Sequence, residues 1–506
     1  MTLAWILFGI YLIGTAYLGW LGHRKTDDFG SFAIGKGDLS PAVVGITLAA
    51  STASAATFII NPGFVYVDGL AGFMHLGISV YVGFVLMLIV LSFRFRSIGE
   101  KAKALTIPDW IGKRYGSRAF SLYFSLINLL SFAFIVLLVG GISIVMQRLL
   151  GIENIPALLI TLIFVTGYVL IGGTYAHVFT NMLQGILMIG VSLLILGSGI
   201  YLIWTTPDFW AQISAEDPDL LSWVNPDSRF YDDYFSTYIA GFCIGAALVC
   251  QPHILTKALY VKTDRAVRNY IIVFAVVYFL FTLLLLTGFW AQGTVDEAQL
   301  IDPLTGAFRQ DLVMTVYLQT VFPDWIFTII SVVLLAAAMS TLDGLLVGIS
   351  TIAANDLVIN LIDMLGKSDM DREQKMKLAL RSSHVILIVI AVLVFFVNIQ
   401  PPELLGIFGQ VGVYGLVLAA VPPLLSGVLF AKVPIGLVWS SSIIAVAVHF
   451  VLYFFGEVLF PGSSLTFANP GVTATLGVLA GILPALGGAW IYNREPASPE
   501  ELKKKM

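Results

Sequence analysis

The chain has 506 residues, of which 58% are hydrophobic and only 11% charged, with a mean hydropathy of +0.92. That composition excludes an ordinary soluble domain and describes a polytopic membrane protein of all-α class. The formal charge of -4 averages two faces of a bilayer, so it argues for no acidic or basic partner, and none of nucleic acid type is expected.

Runs of about 20 apolar residues mark membrane spans, and thirteen are read in order: 3–21, 42–66, 73–93, 120–147, 156–175, 182–205, 236–256, 270–292, 325–354, 382–399, 403–430, 433–455 and 470–492. Residues 1–22 lack the basic start and cleavage site of a secretory signal and are expected to form a retained helix. Assigning the segments between spans alternately to two sides places 24 of the 27 basic residues on one of them. Only Arg148, Arg229 and Arg309 fall opposite. The positive-inside rule then predicts an outside amino terminus and a cytoplasmic carboxyl terminus in a cell inner (plasma) membrane. Segment 206–235, with Asp208, Glu216, Asp217, Asp219, Asp227, Asp232 and Asp233, becomes an acidic outer loop, and 493–506 a cytoplasmic tail.

Two spans carry interruptions, the second at Asn61, Pro62 and Gly63 and the seventh at Gln251, Pro252 and His253. Proline removes a backbone donor and frees carbonyls to face a cavity, and paired interruptions in two halves point to a transporter binding site. Residues 41–205 and 236–430 each hold five spans opening with an interrupted one, which predicts an inverted five-plus-five repeat. Residues 1–22 and the two helices of 431–492 are additional to it. Cys243 and Cys250, seven apart on one span, sit about 10 Å apart along a helix axis, too far for a disulfide.

The ninth span carries adjacent hydroxyls, Ser340 and Thr341, behind Ala336, Ala337 and Ala338 and ahead of Asp343. Small residues allow close helix approach, and polar groups in a span usually face a bundle interior or an ion path. Ser340 lies roughly 22 Å along its span, and Ala50 and Ala53 lie roughly 13–18 Å along theirs, from the opposite direction. Carbonyls of Ala50, Ala53 and Ala337 with the oxygens of Ser340 and Thr341 can therefore surround a monovalent cation. The competing reading has both hydroxyls bonded back to carbonyls of their own helix.

The pattern Ala50-Ser51-x-x-Ser54 followed by Pro62-Gly63 resembles the sodium:solute symporter family. So do Gly172-Gly173, Gln251-Pro252-His253-Ile254-Leu255 and Met339-Ser340-Thr341-Leu342. The resemblance implies thirteen helices around an inverted core, sodium-driven inward transport, and a sodium site at Ala50, Ala53, Ala337, Ser340 and Thr341. The chain departs from the family at Thr52 and Asn181, where some members have aspartates, which argues for one sodium. Ile244 and Leu248 replace an aromatic pair of the proline carriers and Phe134 stands near a family tyrosine, so the expected solute has a larger apolar portion. Ser54, Ala55, Phe134, Ile244, Leu248 and Gln410 are the candidate solute contacts, and Pro62, Gly63 and Pro252 the helix breaks. Asp343 is expected to line the inner exit path or pair with a cytoplasmic-side base, and His253 to be structural.

The expected function is sodium-coupled import of a small organic solute, an amino acid or a monocarboxylate such as pantothenate, by alternating access. A proton-coupled carrier and a solute sensor without transport are the alternatives. No paired-histidine zinc helix, nucleophile elbow or phosphate loop is present, so no enzyme activity and no cofactor beyond the coupling ion is expected. The sequence leaves the oligomeric state open.

Overall fold

The computed structural model describes residues 2–54, 56–301, 306–364, 370–401 and 405–494. Among these every regular element is a helix, joined by turns and loops, and a single isolated β-bridge links Ile301 and Phe308. Helix α1 (Thr2–His23) buries Ala4, Phe8, Tyr11, Thr15, Gly19 and Gly22, at spacings of three and four, and leaves Ile6, Ile10 and Ile13 exposed. This is one stripe for protein and the rest for lipid. At Gly22 a β-carbon would lie 2.4 Å from the Ala176 nitrogen, so glycine lets two backbones touch.

Helix α2 (Pro41–Thr52) opens with the Ser40 hydroxyl accepting from the Val43 N–H and with proline in its first turn. Helices α3 (Asn61–Phe73) and α4 (Val80–Ala102) belong to one helical run, Ala56–Ala102. Its 47 residues exceed a single crossing at about 1.5 Å per residue. The run turns at Gly69, whose φ of 64° and a Leu220 carbonyl 2.1 Å from its β-position leave room for glycine alone. After α5 (Ser131–Leu150), the 52-residue α6 (Asn154–Thr205) divides in the same way at Gly173, φ 52°.

Helix α7 (Ala240–Leu248) is followed by a 63° bend into Pro252–Tyr260, with Gln251 extended between them. Then come α8 (Asp264–Thr282), α9 (Asp324–Ile352), α10 (Arg372–Ile399), α11 (Leu405–Leu429), α12 (Ile435–Leu459) and α13 (Pro470–Arg494). Among the described residues, ten helical runs are long and apolar enough to cross a membrane, and the bent pair makes eleven. Dividing the two overlong runs at their glycines, with α2 completing the crossing that α3 continues, gives the thirteen spans read from the sequence.

Every residue from Ile330 to Val347 of α9 is buried, as is every residue from Gly412 to Val428 of α11. Helices apolar all round belong in the centre of a bundle. Against them, α4 and α7 cross tightly: β-carbons at Gly83 and Gly245 would lie 2.0 Å from the Phe242 carbonyl oxygen and 2.1 Å from that of Val80.

The first interruption differs from the sequence reading. The helix ends at Ala53 (φ -80°, ψ 84°), and helical backbone is already restored by Ile60, ahead of Pro62. Capping chemistry decides it. Ala56 N–H donates to the Ser54 hydroxyl at 3.1 Å and Phe58 N–H to the Ser54 carbonyl at 3.1 Å, so Ser54 starts the next helix. Pro62 falls in the first turn of α3 after a wide π-turn over Ala56–Ile60, where its missing N–H costs little. Gly63 serves contact instead, with the Gln310 carbonyl oxygen 2.0 Å from its β-position. The Pro252 break lies where it was read.

Candidate functional site

A helix leaves its last carbonyls without intrahelical donors. At the end of α2, two of them find side chains of α9. Ser340 Oγ donates to the Ala50 carbonyl at 2.7 Å and Thr341 Oγ1 to the Ser51 carbonyl at 2.9 Å. Ser340 also reaches the Ala337 carbonyl of its own helix at 2.6 Å. Both readings of the hydroxyls thus have a counterpart: Ser340 bonds within α9 and across to α2, whereas Thr341 bonds only across. Ala50, Ala337, Ser340 and Thr341 come together in the buried interior. Ala53 is buried at the break itself, where its N–H is used by the Ala49 carbonyl.

Two further helices close on this point. Asn181 Nδ2 of α6 donates to Ser51 Oγ at 2.7 Å and to the Ser340 carbonyl at 2.9 Å. Lys257, fully buried beyond the second break, donates from Nζ to the Thr47 carbonyl and to Ser51 Oγ, each at 2.8 Å. Asp343, one turn along α9 from Ser340, accepts from His177 Nδ1 at 2.8 Å, Tyr168 OH at 3.0 Å and Thr180 Oγ1 at 3.1 Å. It is buried rather than lining an open path, and it pairs with a base, His177, while a buried tyrosine and threonine complete its bonding. The polar residues His177, Thr180, Asn181 and Gln184, at spacings of three and four on α6, were a sequence signal for this face. Lys257 falls one residue beyond the seventh span, 236–256, among the 24 basic residues on one side; its only mark in the sequence is a lone lysine between Leu255 and Leu259, just after a proline break.

Beside the break lies a cavity of about 100 Å³. Ser51, Thr52 and Ser54 from the α2 end line it, together with Phe134 of α5, Ile244 and Leu248 of α7, and Gln410 of α11. Five of the six candidate solute contacts thus line one cavity; Ala55 lies outside the described residues. His253 also lines this cavity and is buried. Thr52, where a carboxylate was noted as missing, bonds back to the Leu48 carbonyl at 2.8 Å and leaves the cavity without an acidic group from this position.

The arrangement can hold a monovalent cation by neutral oxygens at a helix C-terminus, whose dipole favours positive charge. It offers no thiolate or carboxylate cluster: among the described residues no three His, Cys, Asp or Glu side chains group as metal ligands.

Residues 32–433 match the model of the sodium:solute symporter family. The chain is 26% identical over 457 residues to the sodium/pantothenate symporter of Haemophilus influenzae, covering 90% of each. It is likewise 26% identical over 367 residues to the sodium/proline symporter of Escherichia coli, covering 70% of each. A solved structure of a Na+-coupled sialic acid symporter in a substrate-bound outward-open state superposes with a TM-score of 0.72 at 17% identity, covering 96% of this chain and 97% of that one. With the family model matching residues 32–433, most of its length, and an all-helical membrane fold, this chain belongs to the sodium:solute symporter family and is a membrane transporter.

Proposed function

We propose that the protein imports a small organic solute, an amino acid or a monocarboxylate such as pantothenate, driven by sodium entering through the same carrier. The observation that carries this reading is the meeting of Ser340 and Thr341 with the freed Ala50 and Ser51 carbonyls at the break of α2. Sodium bound by Ala50, Ala53, Ala337, Ser340 and Thr341 fixes the end of α2, and that same end supplies Ser51, Thr52 and Ser54 to the solute cavity. Ion and solute then share one movable element, which makes their affinities reciprocal. The interrupted helices let 41–205 and 236–430 act as two inverted repeats that rock about the site. The amino terminus lies outside and the carboxyl terminus in the cytoplasm of a cell inner membrane, by the distribution of basic residues.

One feature favours a carboxylate group on the solute and another an apolar body. Arg148 and Arg309, two of the three arginines assigned to the outer side, line a second cavity of about 460 Å³. Asp311 pairs with Arg309 at 2.7 Å, while the Arg148 guanidinium meets the neutral Gln319 at 3.4 Å and can attract an anionic solute to this cavity. Ile244, Leu248 and Phe134 favour a solute with an apolar body.

Purified protein in proteoliposomes, given radiolabelled pantothenate or proline, tests this. Accumulation is expected only under an inward sodium gradient. Uptake driven by a pH gradient and indifferent to sodium would instead support proton coupling, for which buried Asp343, His177 and Lys257 are the candidate groups.

A further inference from the structure

Lys257 sits on the turn Thr256–Tyr260, on the far side of the 63° bend, and is fully buried. A buried ammonium is costly unless it is well bonded. Here both of its bonds go to α2: the Thr47 carbonyl and the Ser51 hydroxyl. Ser51 is consequently a hub. Its hydroxyl receives Lys257 and Asn181, and its carbonyl receives Thr341. The lysine therefore touches the residue whose carbonyl accepts from Thr341, a proposed sodium ligand, and it joins the second interrupted helix to the broken end of the first.

The charges around it leave a definite balance. The titratable groups on the neighbouring elements are Asp343 on α9, His177 on α6 and His253 beside the bend, all buried. Asp343 is fully engaged by Tyr168, His177 and Thr180 and does not touch the lysine. Asn181 contributes an amide where a carboxylate would have added a negative charge. One buried carboxylate, Asp343, and one buried lysine, Lys257, thus flank the hydroxyl pair.

We propose that Lys257 is a built-in cation of the coupling machinery: its ammonium holds the broken end of α2 as a second coupling ion would, so one sodium binds per protein. The assignment rests on the sodium-coupled reading above. Its consequence is electrostatic. A fixed positive charge next to a sodium site weakens sodium binding, and its removal leaves Asp343 as an unbalanced anion that strengthens it.

Equilibrium binding of ²²Na⁺ to the purified full-length protein tests this. Wild type is expected to bind one sodium. Lys257→Met is expected to lower the half-saturating sodium concentration about tenfold, whereas Lys257→Arg leaves it near the wild-type value. A lysine with only a packing role would shift the Met variant the opposite way, toward weaker binding. Unchanged or weaker sodium binding by a Met variant that elutes as a monodisperse peak overturns the proposal. So does wild-type binding of two or more sodium ions, whether or not the variant folds. Wild-type protein that binds no sodium would instead defeat the sodium-coupled reading itself.

Discussion

Replacing Ser340 by alanine removes one hydroxyl that bonds to the Ala50 and Ala337 carbonyls at 2.7 and 2.6 Å. In the absence of sodium, the lost bond across to α2 costs about 0.5–1.5 kcal/mol, more if the Ala50 carbonyl finds no other donor. In its presence the loss is larger, because an oxygen that faces a full charge contributes about 1.5–3 kcal/mol, equivalent to a ~10- to 150-fold weaker sodium affinity. Binding linkage turns this into a thermal signal. At a sodium concentration one hundred times its Kd the native state gains about 2.7 kcal/mol, and a ~30-fold weaker Kd leaves only about 0.9 kcal/mol. The assay is thermal unfolding of detergent-purified protein in sodium chloride against choline chloride at equal ionic strength. Wild type should show a sodium-specific rise in Tm, Ser340→Ala should lose most of it, and Thr341→Ser, which keeps its hydroxyl, should retain it. A Ser340→Ala variant with the full wild-type rise would refute the cation site.

Leu248→Ala, which trims the wall of the solute cavity, should alter the ranking of transported solutes by about tenfold in KM while the sodium-dependent Tm rise stays intact. Competition uptake assays against a panel of carboxylates read this, and an unchanged ranking counts against the cavity. Asp343→Asn removes the charge that organises Tyr168, His177 and Thr180 and should destabilise by at least about 2 kcal/mol, measured by thermal unfolding in choline chloride. Gly245→Ala drives a methyl group into the Val80 carbonyl, 2.1 Å away, and should cost about 1–3 kcal/mol by overpacking; a neutral effect would mean that α4 and α7 separate freely.

Much of the architecture was legible in the sequence because lipid is a stringent solvent. Thirteen apolar stretches, the charge asymmetry and a hydroxyl pair behind Ala336, Ala337 and Ala338 all follow from the cost of exposing polar groups to hydrocarbon, which depends on composition and period alone. The break at Pro252 was likewise readable, since proline acts locally. The first break was not: Pro62 drew attention, yet a π-turn absorbs it, and the helix ends where Ser54 can cap the next one. The Ser51 hub, the burial of Lys257 and the satisfaction of Asp343 were beyond sequence reasoning too. Each depends on which residues more than 150 positions apart become neighbours, and that is fixed by glycine contacts and helix crossings. Sequence alone decided that this chain crosses a membrane and where its polar groups concentrate; only tertiary packing decided which carbonyls meet which hydroxyls, because hydrogen bonds act over about 3 Å and no periodicity encodes them.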